Sequence, residues 1–417
     1  MLNVFSSCKK SHRHEIRIIR MISRIKKALQ QYPRQFWVVV FLLMLAWTFH
    51  SMLWPFLMIY VSQKLNTSLT AVAGMLTVNA IAGLVTTFLG GAIADKLGRK
   101  WVMAFSLLLC AVSWYLFQLA TTTALFIALM ALNGATTPLY RLAADAMMAD
   151  LLPPDQRIEA YSILRMGNNL GVALGPTLGG FLAAVSYPLA FSVAGIGMLA
   201  CGILTIILSR ETMPARKATP ESTQKVEMGG YGRVFRDRFF VFLIVSYLCR
   251  RLASATIWMM LGVYVKTNFG MSERLYGFIP MTNAVMVILM QVLITSQVKK
   301  QNANWMMALG SAFYGVAVLG VAFATGFWGF WLCMVVATIG EMVLVPTSTT
   351  VAARLAPEDM RGRYMGIYTV TAALGSGFGP LLGGYLSDTF SPLYTWYGGG
   401  AAGFLGAIAF MLGALFK

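Results

Sequence analysis

The sequence predicts an all-α membrane protein with twelve transmembrane helices in two pseudo-symmetric six-helix bundles, and three observations carry that prediction. Of the 417 residues, 58% are hydrophobic and 12% are charged, and the mean hydropathy is +0.69. The apolar residues fall into runs of about 20, each long enough to cross a hydrocarbon core of roughly 30 Å as a helix, which satisfies its backbone polar groups within one segment. Third, the stretch Leu151 to Leu182 recurs 204 positions later as Leu355 to Leu386, with 13 of 32 positions identical. A repeat offset by half the chain points to two homologous halves with one direction through the bilayer.

Taken in order, residues 1–35 form a basic arm, with Lys9, Lys10, Arg13, Arg17, Arg20, Arg24, Lys26, Lys27 and Arg34 against the single acid Glu15. The arm lacks the apolar core of a signal peptide and is expected to be retained; Met21 is an alternative start. Its isoleucines leave two readings open, a solvated tail or an amphipathic helix on an anionic leaflet. Twelve spans are expected near 36–62, 69–93, 101–121, 124–149, 158–184, 188–209, 239–266, 273–297, 304–324, 328–353, 362–387 and 392–416. They divide into six-helix bundles over 36–209 and 239–417. Residues 210–238, with Pro214, Pro220, Gly229 and Gly230 and charges of both signs, read as a cytoplasmic linker.

The formal charge of +18 is distributed by topology. The arm, the even-to-odd loops, the linker and the C-terminus hold 26 of the 33 Lys and Arg, and the opposite loops hold three, Lys64, Lys266 and Arg274. The positive-inside rule then places both termini in the cytoplasm and removes any need for nucleic acid as a partner. Cys8, Cys110, Cys201, Cys249 and Cys333 show no disulfide or zinc spacing, so no metal is expected. No P-loop is present, which argues against a self-contained ATP-driven pump, and no cofactor or enzymatic motif is found.

Gly91, Asp95, Lys96, Gly98, Arg99 and Lys100, at the end of span two, match the pattern GxxxD(R/K)xGR(R/K). With twelve spans, the half-chain repeat and the GPxxGG of span five, the chain from 36 to 417 resembles the major facilitator superfamily (MFS), within it the twelve-helix drug:proton antiporter branch. The resemblance implies the fold of that family and an inner-membrane secondary transporter. It also implies a conformational gate of Gly91, Asp95, Gly98, Arg99 and Asp150, in which Asp95 docks on the other half in one conformation and Arg99 pairs with Asp150. Physically, the glycines permit close approach and a tight turn, and Asp95 suits a helix N-terminus. The second half has no such loop, since Gly and Asp are both missing over 295–304.

The repeat itself contains Gly171, Gly175, Pro176, Gly179 and Gly180 in span five, and Gly379, Pro380, Gly383 and Gly384 in span eleven. GxxxGPxxGG resembles an antiporter signature, yet its presence in both halves equally fits helix packing, where glycines form a groove and proline bends the helix.

Ionisable residues inside spans are functional candidates, because a charge at membrane depth needs a partner or a cavity. Glu341 stands near mid-membrane in GEMVLVPTS, a motif that resembles span ten of proton-coupled multidrug facilitators, and burial of a carboxyl favours taking up a proton. Arg141 and Asp145 share one helix face and Arg165 enters from the same side, which suggests a triad, either structural or a proton relay. Met130 stands where many drug facilitators carry an Arg, so Arg141 is a candidate substitute. Arg250 and Arg251 are adjacent, about 100° apart around a helix, so one of them at most faces a cavity and would favour anionic or zwitterionic substrates. His50 is either a titrating or a packing residue. Trp47, Trp54, Tyr60, Tyr247, Trp258 and Tyr264, with Phe56, Met259 and Met260, are candidate cavity lining for bulky amphiphiles.

The expected activity is proton-coupled efflux of amphiphilic, drug-like molecules by a monomer working by alternating access, with a small-molecule substrate, protons and the lipid bilayer as its partners. Two alternatives stand beside it. One is a uniporter or symporter of a small anionic or zwitterionic metabolite; the other is a non-transporting receptor or scaffold that signals through the arm or linker.

Overall fold

A computed structural model of the chain describes residues 31–213, 231–357 and 360–413. The basic arm up to residue 30, most of the linker and Asp359 of the repeat lie outside them. The described residues form twelve long helices: α1 (Arg34–Leu65, through a 3-10 turn at Trp54–Phe56), α2 (Leu69–Leu97), α3 (Arg99–Leu119), α4 (Thr123–Leu151), α5 (Pro154–Val185) and α6 (Tyr187–Leu208) in the first half. The second half holds α7 (Arg238–Phe269), α8 (Glu273–Val298, with one break at Gly277), α9 (Ala303–Val321), α10 (Gly326–Leu355), α11 (Arg361–Thr389) and α12 (Pro392–Gly413).

Eleven of these are long and apolar enough to span a membrane; α5, richer in glycine and polar residues, is not among them but packs in the same bundle along α1. Four ends run three or four residues past the expected spans, the C-termini of α1, α2 and α7 and the N-terminus of α5, because turn residues rather than apolar content end them, whereas polar N-caps fix other starts close to the expected positions. Ser68, Thr122, Ser186, Asp237, Ser272 and Asn302 each accept a first-turn N–H. Asn66 (φ 46°) and Gly270 (φ 63°) close α1 and α7 in the left-handed region.

The packing repeats between halves. α1 lies on α5 and α6, α2 on α4, and α3 on α4 and α6; α7 lies on α11 and α12, α8 on α10, and α9 on α10 and α12. The halves meet chiefly along α2 with α11 and α5 with α8, pairs that exchange when six is added to each helix number. Phe88, Phe105, Val112, Val292 and Leu293 are exposed on the outside of the bundle, the side chains a lipid tail would cover.

The bundle has two ends. We call the end with the α2–α3 loop and residues 210–213 the linker face, and the end with the α1–α2 and α7–α8 turns the far face. One hydrophobic core runs through the first half and continues at the far face into Met260, Val263, Tyr264, Tyr276 and Ile279 of the second. A separate core, including Phe240, Leu243, Met307 and Tyr364, fills the linker end of the second half alone. The halves are therefore joined at the far face.

Candidate functional site

Between the halves lies a cavity of about 580 Å³. α1 contributes Trp47, His50, Ser51 and Trp54, α2 contributes Asn79 and Thr87, α4 contributes Pro138 and Arg141, α7 contributes Arg251, Ser254, Trp258 and Met259, α10 contributes Glu341, and α11 contributes Thr369 and Ser376. Trp47, Trp54 and Trp258 thus line the cavity as expected from the sequence.

Three expected lining residues do not. Tyr60 is buried toward the far face, where its hydroxyl donates to the Phe117 carbonyl (3.2 Å) and accepts from Lys64 Nζ (2.7 Å), tying α1 to α3. Tyr264 lines a second cavity of about 200 Å³ near the far face and packs edge-on against Trp396. Tyr247 stacks on Tyr368 (4.3 Å between ring centroids) behind the cavity wall. Aromatic content marked these residues, but helix rotation decides which side each one serves.

Glu341 accepts from Asn283 Nδ2 (2.9 Å) and from the Tyr314 hydroxyl (3.3 Å), so α8 and α9 both point neutral donors at one carboxylate oxygen. Asn283 also donates to Thr338, one turn before Glu341. Asn283 and Tyr314 escaped the sequence reading; a polar residue in the apolar run of α8 was the available signal.

The adjacent arginines divide as helix geometry requires. Arg251 lines the cavity, donates through Nη2 to Ser376 Oγ and leaves its buried Nε without a partner. Its Cβ fills the space at Gly375, so that glycine is needed for α11 to pass. Arg250 turns inward, 1% exposed, with its guanidinium over the rings of Tyr247 (5.0 Å) and Tyr314 (5.2 Å).

The expected triad does not close. Arg141 is exposed on the cavity wall and Arg165 is exposed on α5, and among the described residues no ion pair joins either of them to Asp145. Shared helix faces bring Arg141 and Asp145 near each other, but the open linker face lets the guanidiniums reach water. His50 is buried in an aromatic box, stacked on Trp54 (5.4 Å) and edge-on to Trp47 and Trp114, and its Nδ1 has no partner.

At the linker face, Arg99 Nε contacts Asp150 (2.8 Å) and its Nη2 contacts Asp95 (3.0 Å). The Asp95 side chain is 66% exposed, and its ion pair stays within its own half, as the open face requires. Glu211, unremarked in the sequence, caps α3 by accepting from the Arg99 (3.0 Å) and Lys100 (3.2 Å) N–H groups. Gly98 (φ 92°) needs its glycine, since a Cβ would strike Glu211. Gly91 corrects the close-approach expectation: a Cβ there would meet nothing within 4 Å, and Gly90 is the one pressed against Leu142.

The two GPxxGG segments act as packing surfaces. Gly171, Gly175 and Gly179 lie against α1 at Met44, Thr48 and Met52, and Gly379 against α7 at Leu252 and Ala255. Gly383 meets Thr395 of α12, and the last glycines cross between halves, Gly180 against Glu273 and Gly384 against Leu69. Pro176 and Pro380 lie inside α5 and α11, and the Pro176 carbonyl meets Gly277 across the same seam. Glu273 and Leu69 open α8 and α2. There Tyr187 donates to Glu273 (3.0 Å), and Asp388 accepts from Thr70 N (2.7 Å), Thr70 Oγ1 (2.6 Å) and Leu69 N (3.3 Å).

Two six-helix halves, joined at one face and enclosing a cavity with isolated charges, define a membrane transporter rather than an enzyme. The model of the Major Facilitator Superfamily matches residues 36–249 and again 243–416, and the chain belongs to that family. A Na(+), Li(+), K(+)/H(+) antiporter of Planococcus maritimus is 25% identical over 379 residues, covering 84% of this chain and 87% of its own. The quinolone resistance protein NorA of Staphylococcus aureus (strain MSSA476) is 25% identical over 328 residues, covering 78% and 83%. The solved nucleoside transporter NupG superposes with a TM-score of 0.80 at 15% identity, over 92% of this chain and 100% of that one, a likeness of fold.

Proposed function

We propose that the protein exports amphiphilic small molecules across a bacterial-type inner membrane in exchange for protons, with Glu341 as the proton-carrying group. The observation that carries this reading is that Glu341 is the one Asp or Glu among the described cavity-lining residues and is held by neutral donors rather than by a fixed cation. A carboxyl so placed exchanges a proton without breaking an ion pair. The antiport and quinolone-resistance names of the relatives support the same activity.

Access alternates by rocking one half on the other. The structure is joined at the far face and open at the linker face. With 26 of the 33 Lys and Arg of the sequence in the arm, the even-to-odd loops, the linker and the C-terminus, the positive-inside rule makes the linker face the cytoplasmic one, and on this reading the conformation is inward-open. The Asp95–Arg99–Asp150 cluster then has its work in the opposite conformation, when Asp95 docks on the second half. The protein works as a monomer, since each chain encloses its own cavity.

The test is a proteoliposome assay with an imposed pH gradient. Glu341→Gln is expected to abolish gradient-driven flux while retaining downhill exchange; gradient-driven flux at the wild-type rate in that variant overturns the assignment. A second reading, a symporter or uniporter of an anionic or zwitterionic metabolite, is favoured by Arg251 on the cavity wall and predicts flux of such a solute that runs with, or ignores, the proton gradient.

A further inference from the structure

The charges around the cavity do not balance. Arg141 and Arg251 line it, Arg250 lies directly behind Arg251, and Glu341 is the single acid on the wall. None of the three guanidiniums is ion-paired; the ion pairs among the described residues are Arg99 with Asp95 and Asp150, and Lys266 with Glu273. Arg250 is occupied by two tyrosine rings. Arg251 is engaged only through Nη2 with neutral Ser376, and its Nε is buried and unpartnered. Glu341 takes its donors from Asn283 and Tyr314 and, although Arg250 and Arg251 both feel its charge, forms no ion pair with either, so the Arg251 fork has no carboxylate in contact. When Glu341 carries a proton, the wall holds two guanidiniums and no anion. Arg141 reaches water, but a buried guanidinium nitrogen such as Arg251 Nε is costly without a partner, and a cavity built this way is completed by a ligand that brings negative charge to Arg251.

We propose that the transported amphiphile is an organic acid, an aromatic or otherwise apolar body carrying one carboxylate- or sulfonate-type group that binds Arg251. The proposal rests on the transport reading above and narrows its substrate. The guanidinium presents a planar fork that donates to acidic oxygens, and Arg141 on the opposite half adds long-range attraction as the acid enters from the linker face. The apolar body lies between Trp47 and Trp54 on one wall and Trp258 on the other, all three lining the same space. The buried indole N–H of Trp47 is also unpartnered and offers a donor to a ligand oxygen. Substrate and proton then occupy different groups, Arg251 and Glu341, and organic cations are disfavoured because they would bring like charge to Arg251.

The experiment measures equilibrium binding to the full chain in phosphatidylcholine nanodiscs with no gradient. It uses 1-anilinonaphthalene-8-sulfonate, its uncharged counterpart N-phenyl-1-naphthylamine, and tetraphenylphosphonium as a cationic competitor, with empty nanodiscs as the baseline. The expected result is sulfonate binding about tenfold or more tighter than that of the uncharged amine, and no displacement by the phosphonium. Arg251→Gln should weaken the sulfonate by about 10- to 100-fold, the worth of one charge-assisted pair, and leave the amine within about twofold; Arg251→Lys should keep part of the preference. Equal affinity for sulfonate and amine in the wild type, or displacement of the sulfonate by the phosphonium, overturns the proposal. Because this charge series is read on the unaltered protein, it decides the matter even if the Arg251 variants misfold. Flux that ignores a pH gradient would overturn proton coupling while leaving this binding order intact, so the two readings fail separately.

Discussion

Removing Asp388 should loosen the far face and shift the protein toward the conformation open on that side. The Asp388 carboxylate, at the end of α11, accepts three bonds from the first turn of α2, two from backbone N–H groups and one from the Thr70 hydroxyl. It thus caps a helix of the opposite half. Asp388→Ala at an N-cap costs about 0.5–2 kcal/mol, and the charge–dipole contribution adds about 0.3–1 kcal/mol. Asp388 is exposed, so solvent screens it, and α2 keeps its own cap at Ser68. A net of about 1–1.4 kcal/mol remains, which displaces the equilibrium between the two faces by roughly five- to tenfold. Spin labels at the exposed positions Gln63 and Thr389, one on each half, report the separation by pulsed electron resonance in nanodiscs. The long-distance population should rise by that factor in Asp388→Ala and by less in Asp388→Asn, since asparagine still caps. A distribution that moves by less than twofold in a folded Asp388→Ala protein refutes the latch.

Other substitutions separate packing from motif. Gly179→Ala drives a Cβ into the Met52 carbonyl and should lower stability by about 1–3 kcal/mol, read as a drop in melting temperature. Gly91→Ala, at a motif glycine with open space around it, should be neutral or stabilising by up to about 1 kcal/mol in the same assay. Glu211→Ala uncovers the N-terminus of α3 and should cost about 1 kcal/mol of thermal stability, with greater proteolysis at the linker. Asn283→Ala removes the shorter donor to Glu341 and should reduce gradient-driven flux by about tenfold without reducing the amount of folded protein in the membrane; wild-type flux would show that Asn283 does not serve the carboxyl.

The sequence by itself determined the membrane class, the twelve helices, the halves and the family, because each rests on local composition or on a repeat that needs no third dimension. A helix in lipid is specified by about 20 apolar residues whatever it packs against. The residues of the GPxxGG repeat were legible for the same reason, while the Arg99–Asp150 pair, found at 2.8 Å, was implied only by the resemblance of its motif to the family. Tertiary structure alone decided which side of each helix faces the cavity. Apolar residues surround these helices, facing lipid on one side and protein on the other, so no hydrophobic stripe reveals rotation as it does in a soluble helix. That is why Tyr60, Tyr247 and Tyr264 looked equivalent to Trp47, Trp54 and Trp258, and why Arg250 could not be told from Arg251. Asn283, Tyr314, Glu211 and Asp388 act across gaps of 27 to 319 residues, between helices whose order in space no local pattern records. Their roles follow from which helix ends and faces the packing of the two halves brings together.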